Sequence, residues 1–445
     1  MSESHERTPL LNGTSHSPRS YSTRVLDLFK AEGQPSWLHS IRFFFLGSWF
    51  NVLLVFVPLS VISHHLNWDA ALRFSFSFIA ILPLASLLGV ATEQLSLELG
   101  QTLSGLLNAS FGNAVEIIVG VTALMQDEVR IVQTSLLGSI LSNLLLVLGC
   151  SFLAGGFYAP ESTFQATAAQ ASSSLMTLSC ITLVIPAAYH SAKSHSGGID
   201  NSTLLTAAGL EVVSDGSDLE NIYADGLKII SRGTAILLLG VYIVYLYFQL
   251  RSHSFLYNTP PKAARDTAAD GTQSPSPGAI ENGQSEDPET EKAEMNTISA
   301  GISLLVVTVV TSFCADYLVA SIEETANRYS IPKAFIGLIL LPIVANAAEH
   351  VTSVWMAYKG KMELTIGICV GSSIQISAFV VPLLVIVGWI SHHDLTLFFA
   401  DFETIVLFVS VLLVNFLIQD GKSNYMEGLM LVALYLVIAL AFWVS

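Results

Sequence analysis

Long apolar runs separated by short polar stretches dominate the chain from residue 41 onwards. About eleven of these runs are close to 20 residues long, the length that an α-helix needs to cross the hydrocarbon core of a bilayer. Their apolar residues are continuous and do not alternate with polar ones, so they predict helices and not strands. The predicted spans are 41–62, 70–90, 103–124, 131–154, 168–189, 226–250, 298–320, 331–357, 363–389, 397–418 and 427–444.

The composition also indicates an all-α polytopic membrane protein. Hydrophobic residues make up 52% of the 445 residues and charged residues only 12%, whereas about 25% charged is usual in soluble proteins. The four cysteines fall inside predicted spans without disulfide or metal spacing, so we expect apolar filler. The net charge of −16 is concentrated in two acidic clusters, within 200–225 and 281–294. Both clusters are typical of solvated loops, and no nucleic-acid partner or cofactor is expected.

The distribution of basic residues predicts the orientation. Residues 1–40 are polar and lack an apolar core, so we expect a disordered cytosolic tail and no cleavable signal peptide. Within this tail, residues 6–11 have the acidic-dileucine form of vacuolar and lysosomal sorting signals. With a cytosolic amino terminus, the cytosolic segments hold 12 basic residues and the other side 7, as the positive-inside rule expects. Eleven spans then place the carboxyl terminus in the lumen.

A duplicated motif is the strongest signal in the chain. Asn113 and Glu116 recur as Asn346 and Glu349, and a Gly-Ser pair follows each glutamate by 22 residues. The proline-rich and acidic stretch 251–297 is predicted to be a cytosolic linker between the two copies. Five spans on each side of the linker make an inverted repeat, the construction of many secondary transporters. The predicted organisation is a leading helix, 41–62, followed by repeats 70–250 and 298–445.

The chemistry of the motif favours a hard divalent cation. A carboxylate at bilayer depth is costly unless it faces a cavity or partner, and the matched pair Glu116 and Glu349 argues for a function. Ca²⁺ prefers six to eight oxygen ligands, Mn²⁺ would also be tolerated, and no thiolate or histidine cluster favours a softer metal. Without metal the two carboxylates repel, so protons and metal compete for them. The nearby oxygen donors are Asn113, Asn346, Gln375, Ser135, Ser139, Ser142, Ser372 and Ser373.

Other residues in or near the spans leave alternatives open. Pro342 lies two turns before Glu349 and is our preferred kink position. His350 either senses pH or is a packed histidine at the edge of the cavity. Glu93 and Glu323 either line vestibules or are exposed residues at helix ends.

At these residues the sequence resembles the calcium/proton exchanger family, within the calcium–cation antiporter superfamily. The linker that follows Arg251 is similar to that of the vacuolar members, and Ala345 replaces a glycine found in many relatives. The segments that carry the resemblance are Phe111-Gly-Asn-Ala-Val-Glu-Ile-Ile-Val119, Ser135-Leu-Leu-Gly-Ser-Ile-Leu-Ser-Asn143, Pro342-Ile-Val-Ala-Asn-Ala-Ala-Glu-His350 and Gly371-Ser-Ser-Ile-Gln375.

The resemblance implies an antiporter in the vacuolar membrane that exchanges cytosolic Ca²⁺ for luminal protons by alternating access. By it, Glu116 and Glu349 are the paired metal and proton sites, with His350 as a further candidate for proton coupling. It also implies that the lipid bilayer is the protein's surroundings, and a homo-oligomer is compatible with it. The residues that would assist at the metal site or line it are Asn113, Asn346, Gln375, Ser139, Asn143 and Ser372.

Three other functions fit the sequence less well. A Na⁺-driven calcium exchanger is the alternative within transport, although its relatives carry other repeat motifs. An intramembrane hydrolase needs a His-Glu-x-x-His or an equivalent arrangement, and Glu349-His350 lacks the second ligand set. A receptor would leave the inverted repeat unexplained. We therefore expect a transporter and not an enzyme.

Overall fold

The computed structural model describes residues 34–196, 216–253 and 293–444. Almost all of them lie in helices, and the two short strands β1 (Ser162–Thr163) and β2 (Lys422–Ser423) pair antiparallel. The helices in chain order are α1 Trp37–Leu46, α2 Trp49–His65, α3 Ala70–Phe111, α4 Ala114–Met125, α5 Val129–Tyr158, α6 Ala166–Ser196, α7 Gly216–Tyr247, α8 Thr297–Tyr329, α9 Lys333–Ala345, α10 Ala347–Tyr358, α11 Met362–Ser391, α12 Asp401–Ile418 and α13 Tyr425–Val444.

The all-α membrane fold is confirmed, but the count of eleven spans is not. In the described part of the chain, eight helices are long and apolar enough to cross a membrane, or up to ten if each bent pair is one span. Residues 114–125 form a shorter apolar helix outside that count. The division into a leading helix and two five-helix repeats stays a prediction. The sorting motif lies outside the residues described, and so do most residues of both acidic clusters.

Two predicted boundaries near the amino end differ from the structure. The leading span is a bent pair, because α1 and α2 meet at 83°. The Asn51 side chain stabilises this bend by donating 3.0 Å hydrogen bonds to the carbonyls of Phe44 and Phe45, which have lost helical partners. Residues 91–102, expected to be a loop, are helical within α3, but the helix folds back between Ser96 and Asn108, whose side chains form a 3.0 Å hydrogen bond. Its sequence there is rich in Leu, Glu and Gln, which extend a helix readily beyond the bilayer.

The duplication is visible in the helix boundaries. Helix α4 spans residues 114–125 and α10 spans 347–358, so each boundary recurs 233 positions later. The same offset relates the starts and ends of α5 and α11. A π-helical turn interrupts both of the latter, at Ser142–Val147 in α5 and at Ile376–Val380 in α11. Such turns are frequent at functional sites.

Helix α5 lies at the centre of the bundle. In the most apolar stretch of α5, 83% is buried inside the protein, whereas the corresponding share in α7 is 22%. The two halves interlock around it: α9 and α10 pack on α5, while α8 packs along α3 and α12 along α6. The core therefore forms between the halves, where the duplicated motifs meet.

The two ends of the bundle carry different polar contacts. At one end the Gln94 side-chain oxygen accepts backbone N–H groups of Glu294 and Met295 at 2.7 and 3.1 Å. At the other end Asp69 pairs with Arg328 at 2.5 Å. Both Asp69 and Gln94 belong to α3 or its cap, and a rise of 1.5 Å per residue separates them by roughly 35 Å. We refer to these ends as the Gln94 face and the Asp69 face.

Candidate cation site

Two helix breaks place the motif glutamates. The chain leaves helical geometry at Asn113 (φ −110°, ψ 35°), and α4 starts at the next residue with Glu116 in its first turn. The chain also leaves helical geometry at Asn346 (φ −88°, ψ 8°), and α10 starts at the next residue with Glu349 in its first turn. Broken helices of this kind direct their positive amino-terminal ends at a site.

The breaks correct two predictions. Asn113 and Glu116 were expected to share a face of one continuous helix, but each asparagine stands at the N-cap position, just before the helix that carries its glutamate. The bend before Glu349 was expected at Pro342, whereas the 58° bend lies at Asn346. Pro342 lies inside α9, directly after a π-helical turn at Ile336–Leu340 that accommodates its missing N–H.

The asparagines bond across the molecule and not to their own helices. The spacing of asparagine and glutamate has the form of a capping box, yet neither asparagine side chain caps its helix. Instead Asn113 donates to the side-chain oxygen of Gln375 at 2.5 Å and accepts from the hydroxyl of Ser372 at 3.0 Å. Asn346 donates to the Ser139 carbonyl at 3.2 Å.

Asn143 completes this network. Its amide donates to a Glu349 carboxylate oxygen and to the Ser372 hydroxyl, each at 2.9 Å. Asn143 lies within the π-helical turn of α5, while Ser372 and Glu349 belong to α11 and α10 of the other half. Each hydrogen bond of the network therefore joins the two copies of the motif.

Two buried acceptors of the site have no partner among the described residues. These are the side-chain oxygens of Asn143 and Asn346, whose residues are 0% and 1% exposed. Both N–H groups of the Asn143 amide and one of the Asn346 amide are used in the bonds above, and each side chain has its acceptor oxygen left over. An unsatisfied buried acceptor is costly, and a hard cation or a water molecule would satisfy it.

A vestibule leads to the site from the Gln94 face. This cavity of about 450 Å³ has Glu349, Ser372 and Gln375 at its inner end and Thr92 and Glu93 in its outer part. Water and ions can therefore approach Glu349 from one end of the bundle. Glu93 lines the vestibule, which agrees with one of the two alternatives for this residue.

Glu116 borders a second, much smaller cavity. It has a volume of about 20 Å³, room for one water molecule, and Ser135 and Ser139 are its other polar lining residues. Glu116 itself is only 7% exposed. The two glutamates are thus equivalent in sequence but face different spaces.

The structure brings together eight predicted site residues: Glu116, Glu349, Asn113, Asn346, Gln375, Ser139, Asn143 and Ser372. Other candidates lie elsewhere. The Ser373 hydroxyl donates to the Cys369 carbonyl at 2.8 Å, and Glu323 pairs with Lys333 at the Asp69 face. His350 is half-buried and is not among the residues that line the vestibule.

The donor set has a definite chemical character. In the described residues no group of three or more His, Cys, Asp or Glu side chains comes together. A metal here would therefore take amide, hydroxyl or carbonyl oxygens beside the two carboxylates. That set suits Ca²⁺ or Mn²⁺ and disfavours thiolate-seeking metals.

The sequence reasoning missed Asn108, which lines the vestibule, and Arg130, which forms a two-pronged ion pair with the buried Glu403. A weak signal existed for the helix break, because Gly112-Asn113 pairs two poor helix formers in mid-span. No local signal pairs Arg130 with a residue 273 positions away.

The sequence is similar to known cation transporters along most of its length. The model of the sodium/calcium exchanger protein family matches residues 69–251 and 299–444. A vacuolar calcium ion transporter of Schizosaccharomyces pombe is 42% identical, over 99% of this chain and 93% of its own. A vacuolar cation/proton exchanger of Oryza sativa is 41% identical, over 92% of this chain and 84% of its own.

Solved structures show the same fold. The Ca²⁺/H⁺ antiporter protein YfkE is 30% identical with a TM-score of 0.66, covering 89% of this chain and 99% of that one. A structure of an H⁺/Ca²⁺ exchanger, 12% identical with a TM-score of 0.56, shares the fold. On the family match and these identities, the chain belongs to the sodium/calcium exchanger protein family and, within it, to the calcium/proton exchangers of vacuolar type.

Proposed function

We propose that this protein is an antiporter that moves Ca²⁺ from the vestibule to the opposite face in exchange for protons, using Glu116 and Glu349 as shared binding groups. The observation that carries the proposal is the pair of unsatisfied oxygens of Asn143 and Asn346 near Glu349, which itself lines a wide vestibule. The names of the similar proteins, a calcium ion transporter and a Ca²⁺/H⁺ antiporter, support it.

The carboxylates explain why one site serves both ions. Two ionised glutamates balance the charge of a divalent cation, and the surrounding amide and hydroxyl oxygens supply further ligands. Once the metal leaves, two neighbouring carboxylates repel each other, which favours protonation. Metal and protons therefore exclude each other, and this exclusion is the minimum requirement for exchange. Mn²⁺, another hard cation, is proposed as a second substrate.

The proposed orientation makes the Gln94 face cytosolic. We assign the cytosolic side from the excess of basic residues, which predicts that the amino terminus lies in the cytosol and the carboxyl terminus in the lumen. The relatives are vacuolar proteins by name, so we place this chain in the vacuolar membrane. Alternating access then presents the site to cytosolic Ca²⁺ and to luminal protons in turn.

A flux assay in sealed vesicles tests the proposal against Na⁺ exchange. Vesicles holding the full-length protein receive an acidic interior, a Na⁺-loaded interior or neither, and ⁴⁵Ca uptake is measured with Mn²⁺ as competitor. We expect uptake that follows the proton gradient, does not respond to Na⁺ and falls when Mn²⁺ is added. Uptake that depends on Na⁺ and ignores the proton gradient would defeat the proposal and favour the alternative.

A further inference from the structure

The last helix of each predicted repeat carries a buried tyrosine within a short shared sequence. Residues Leu238-Leu-Gly-Val-Tyr-Ile-Val244 of α7 match Leu431-Val-Ala-Leu-Tyr-Leu-Val437 of α13 at the leucine, the tyrosine and the final valine. Tyr242 and Tyr435 are each 2% exposed, and each lies one helical turn after its buried leucine. The duplication therefore includes an inward-facing tyrosine in addition to the glutamate motif.

Each tyrosine lies against the π-helical turn of the other half. The Tyr242 ring stacks on Phe379 in the turn of α11, with 5.5 Å between the ring centroids. Helix α13 packs on the turn of α5, where the Ser142 side chain faces the Tyr435 hydroxyl. The same two turns carry or adjoin amide residues of the cation site. Both tyrosines therefore contact the helix segments that present site residues.

Neither tyrosine hydroxyl has a hydrogen-bond partner among the described residues. The Ser142 hydroxyl lacks one as well and its residue is 1% exposed, although it faces Tyr435. A buried hydroxyl without a partner is costly, and phenylalanine would provide the same ring without that cost. The same cost at equivalent positions of both halves therefore indicates hydroxyls that find their partners in another step of the reaction.

We propose that Tyr242 and Tyr435 are a duplicated pair of positioning residues, whose hydroxyls bond to the π-helical turns when a cation occupies the site. For Tyr435 the partner is the Ser142 hydroxyl, which already faces it. Tyr242 acts in the same way on the turn of α11, directly beside the site residue Gln375. Neither tyrosine touches the cation, because each acts through the amide side chain that its turn presents.

Cation binding supplies the movement that closes the bond. Asn143 directly follows Ser142 in the turn of α5, and its unpartnered oxygen is drawn to a cation bound beside Glu349. A small shift of the turn moves both residues together and lets the Ser142 and Tyr435 hydroxyls bond. That bond then holds the Asn143 oxygen toward the cation. The inference rests on the proposed function, because it takes Asn143 and Glu349 as parts of the cation site.

Thermal unfolding with and without Ca²⁺ tests this role without measuring transport. The purified full-length variants Tyr242→Phe and Tyr435→Phe lose only the hydroxyl, and Tyr247→Phe, at a position of α7 that is 65% exposed, is the matched control. Without Ca²⁺ we expect both variants to unfold at the wild-type Tm or above it, because an unpartnered hydroxyl is removed. With Ca²⁺ their Tm should rise less than that of the wild type, because weaker binding stabilises less. The control should follow the wild type in both conditions.

The outcomes of this experiment separate the inference from the proposed function. A lower Tm of the two variants without Ca²⁺ would show that the hydroxyls already have partners, such as water molecules, and would overturn the inference. Equal rises with Ca²⁺ in the wild type and both variants would also overturn it. A wild type whose Tm does not respond to Ca²⁺ would contradict the proposed function as well, so the two failures are distinguishable.

The concentration dependence of proton-driven ⁴⁵Ca uptake gives the size of the effect. Losing one hydrogen bond of the cation-bound state should raise the Ca²⁺ concentration for half-maximal uptake about fivefold in each variant, with the maximal rate unchanged. Ser142→Ala should have the same effect, and its combination with Tyr435→Phe should have no more, since both remove one bond. Additive effects, or a lower maximal rate at an unchanged half-maximal concentration, would contradict the pairing.

Discussion

Asn143 shows how a single amide can serve two copies of a motif. Its N–H groups hold the Glu349 carboxylate and the Ser372 hydroxyl, so its oxygen has no partner left in the described residues. An amide in this arrangement orients a carboxylate and at the same time offers an acceptor to a cation. Its position within a π-helical turn allows this, because the widened turn changes the direction of the side chains in it.

Asn143→Ala is expected to weaken Ca²⁺ binding without unfolding the protein. It removes a hydrogen bond to a charged group, worth about 1.5 kcal/mol, which corresponds to about a tenfold rise in the Ca²⁺ concentration for half-maximal uptake. The measurement is proton-driven ⁴⁵Ca uptake against Ca²⁺ concentration. Ser377→Ala is the matched control, because that hydroxyl donates only to the nearby Ile374 carbonyl. Equal effects of both substitutions would remove Asn143 from the site.

At this scale the sequence was enough to name the polar residues of the duplicated motif but not their contacts. The sequence points to Glu116, Glu349 and the motif asparagines and serines around them. Polar side chains at bilayer depth are costly, so they are retained where they have a function or a partner. Their pairing could not be predicted, since Asn113 meets Gln375 only after the chain has folded. Likewise, the predicted helix face that Asn346 shares with Glu349 gives no sign of the bond that Asn346 donates to the Ser139 carbonyl of the other half.

Among the helices, those that cross the core were predictable from apolar length, and their breaks were not. A helix continues or breaks according to whether its freed carbonyls find partners, as they do at Asn51. Such partners come from other parts of the chain or from solvent. Thus α3 runs past its predicted end, and the predicted leading span bends.

The start of α12 depends on one ion pair. Glu403 has a side chain 1% exposed and pairs with Arg130 of α5, whose side chain is 43% exposed. Arg130→Met would leave a buried carboxylate without its partner, and we expect a loss of about 2 kcal/mol in the free energy of unfolding. The larger loss usual for buried pairs is reduced here because water reaches Arg130.

Thermal unfolding of the purified protein in detergent measures this loss. Lys422→Met is the matched control, because its pair with Glu161 is half-exposed on both sides and should contribute little. A fall in Tm for Arg130→Met no larger than that for Lys422→Met would show that the ion pair does not hold α12.

The loop before α12 should respond to acid. A hydrogen bond from Lys228, with Arg232 nearby, lowers the pKa of Asp394 below its ordinary value. Because the folded pKa is the lower one, the stabilisation is present above about pH 4 and is lost as pH falls through the folded value. It should be less than about 1 kcal/mol, since the carboxylate is half-exposed.

Hydrogen exchange of residues 392–400 checks this expectation. The wild type should be better protected than Asp394→Asn near neutral pH, and the difference should vanish in acid. A difference that persists unchanged well below pH 4, or one that grows there, would contradict the direction of the pKa shift.

For the whole molecule, the duplication connects the fold with the function. The repeated boundaries at a constant offset of 233 residues place two equivalent glutamates between the halves, one beside an open vestibule and one beside a closed cavity. The sequence predicted the pair and its equivalence. It could not predict which half is open, because equivalent residues enclose both spaces and only their packing in the folded protein sets the two volumes.

The central claim, that the two glutamates are the shared binding groups, is tested most directly by replacing each with its uncharged isostere. Proton-gradient-driven ⁴⁵Ca uptake is measured for Glu116→Gln and Glu349→Gln in vesicles that contain equal amounts of each protein, with Glu363→Gln at the start of α11 as control. We predict that both site variants fall to the level of protein-free vesicles while the control transports normally. Near-normal uptake by either site variant would contradict the paired-carboxylate account.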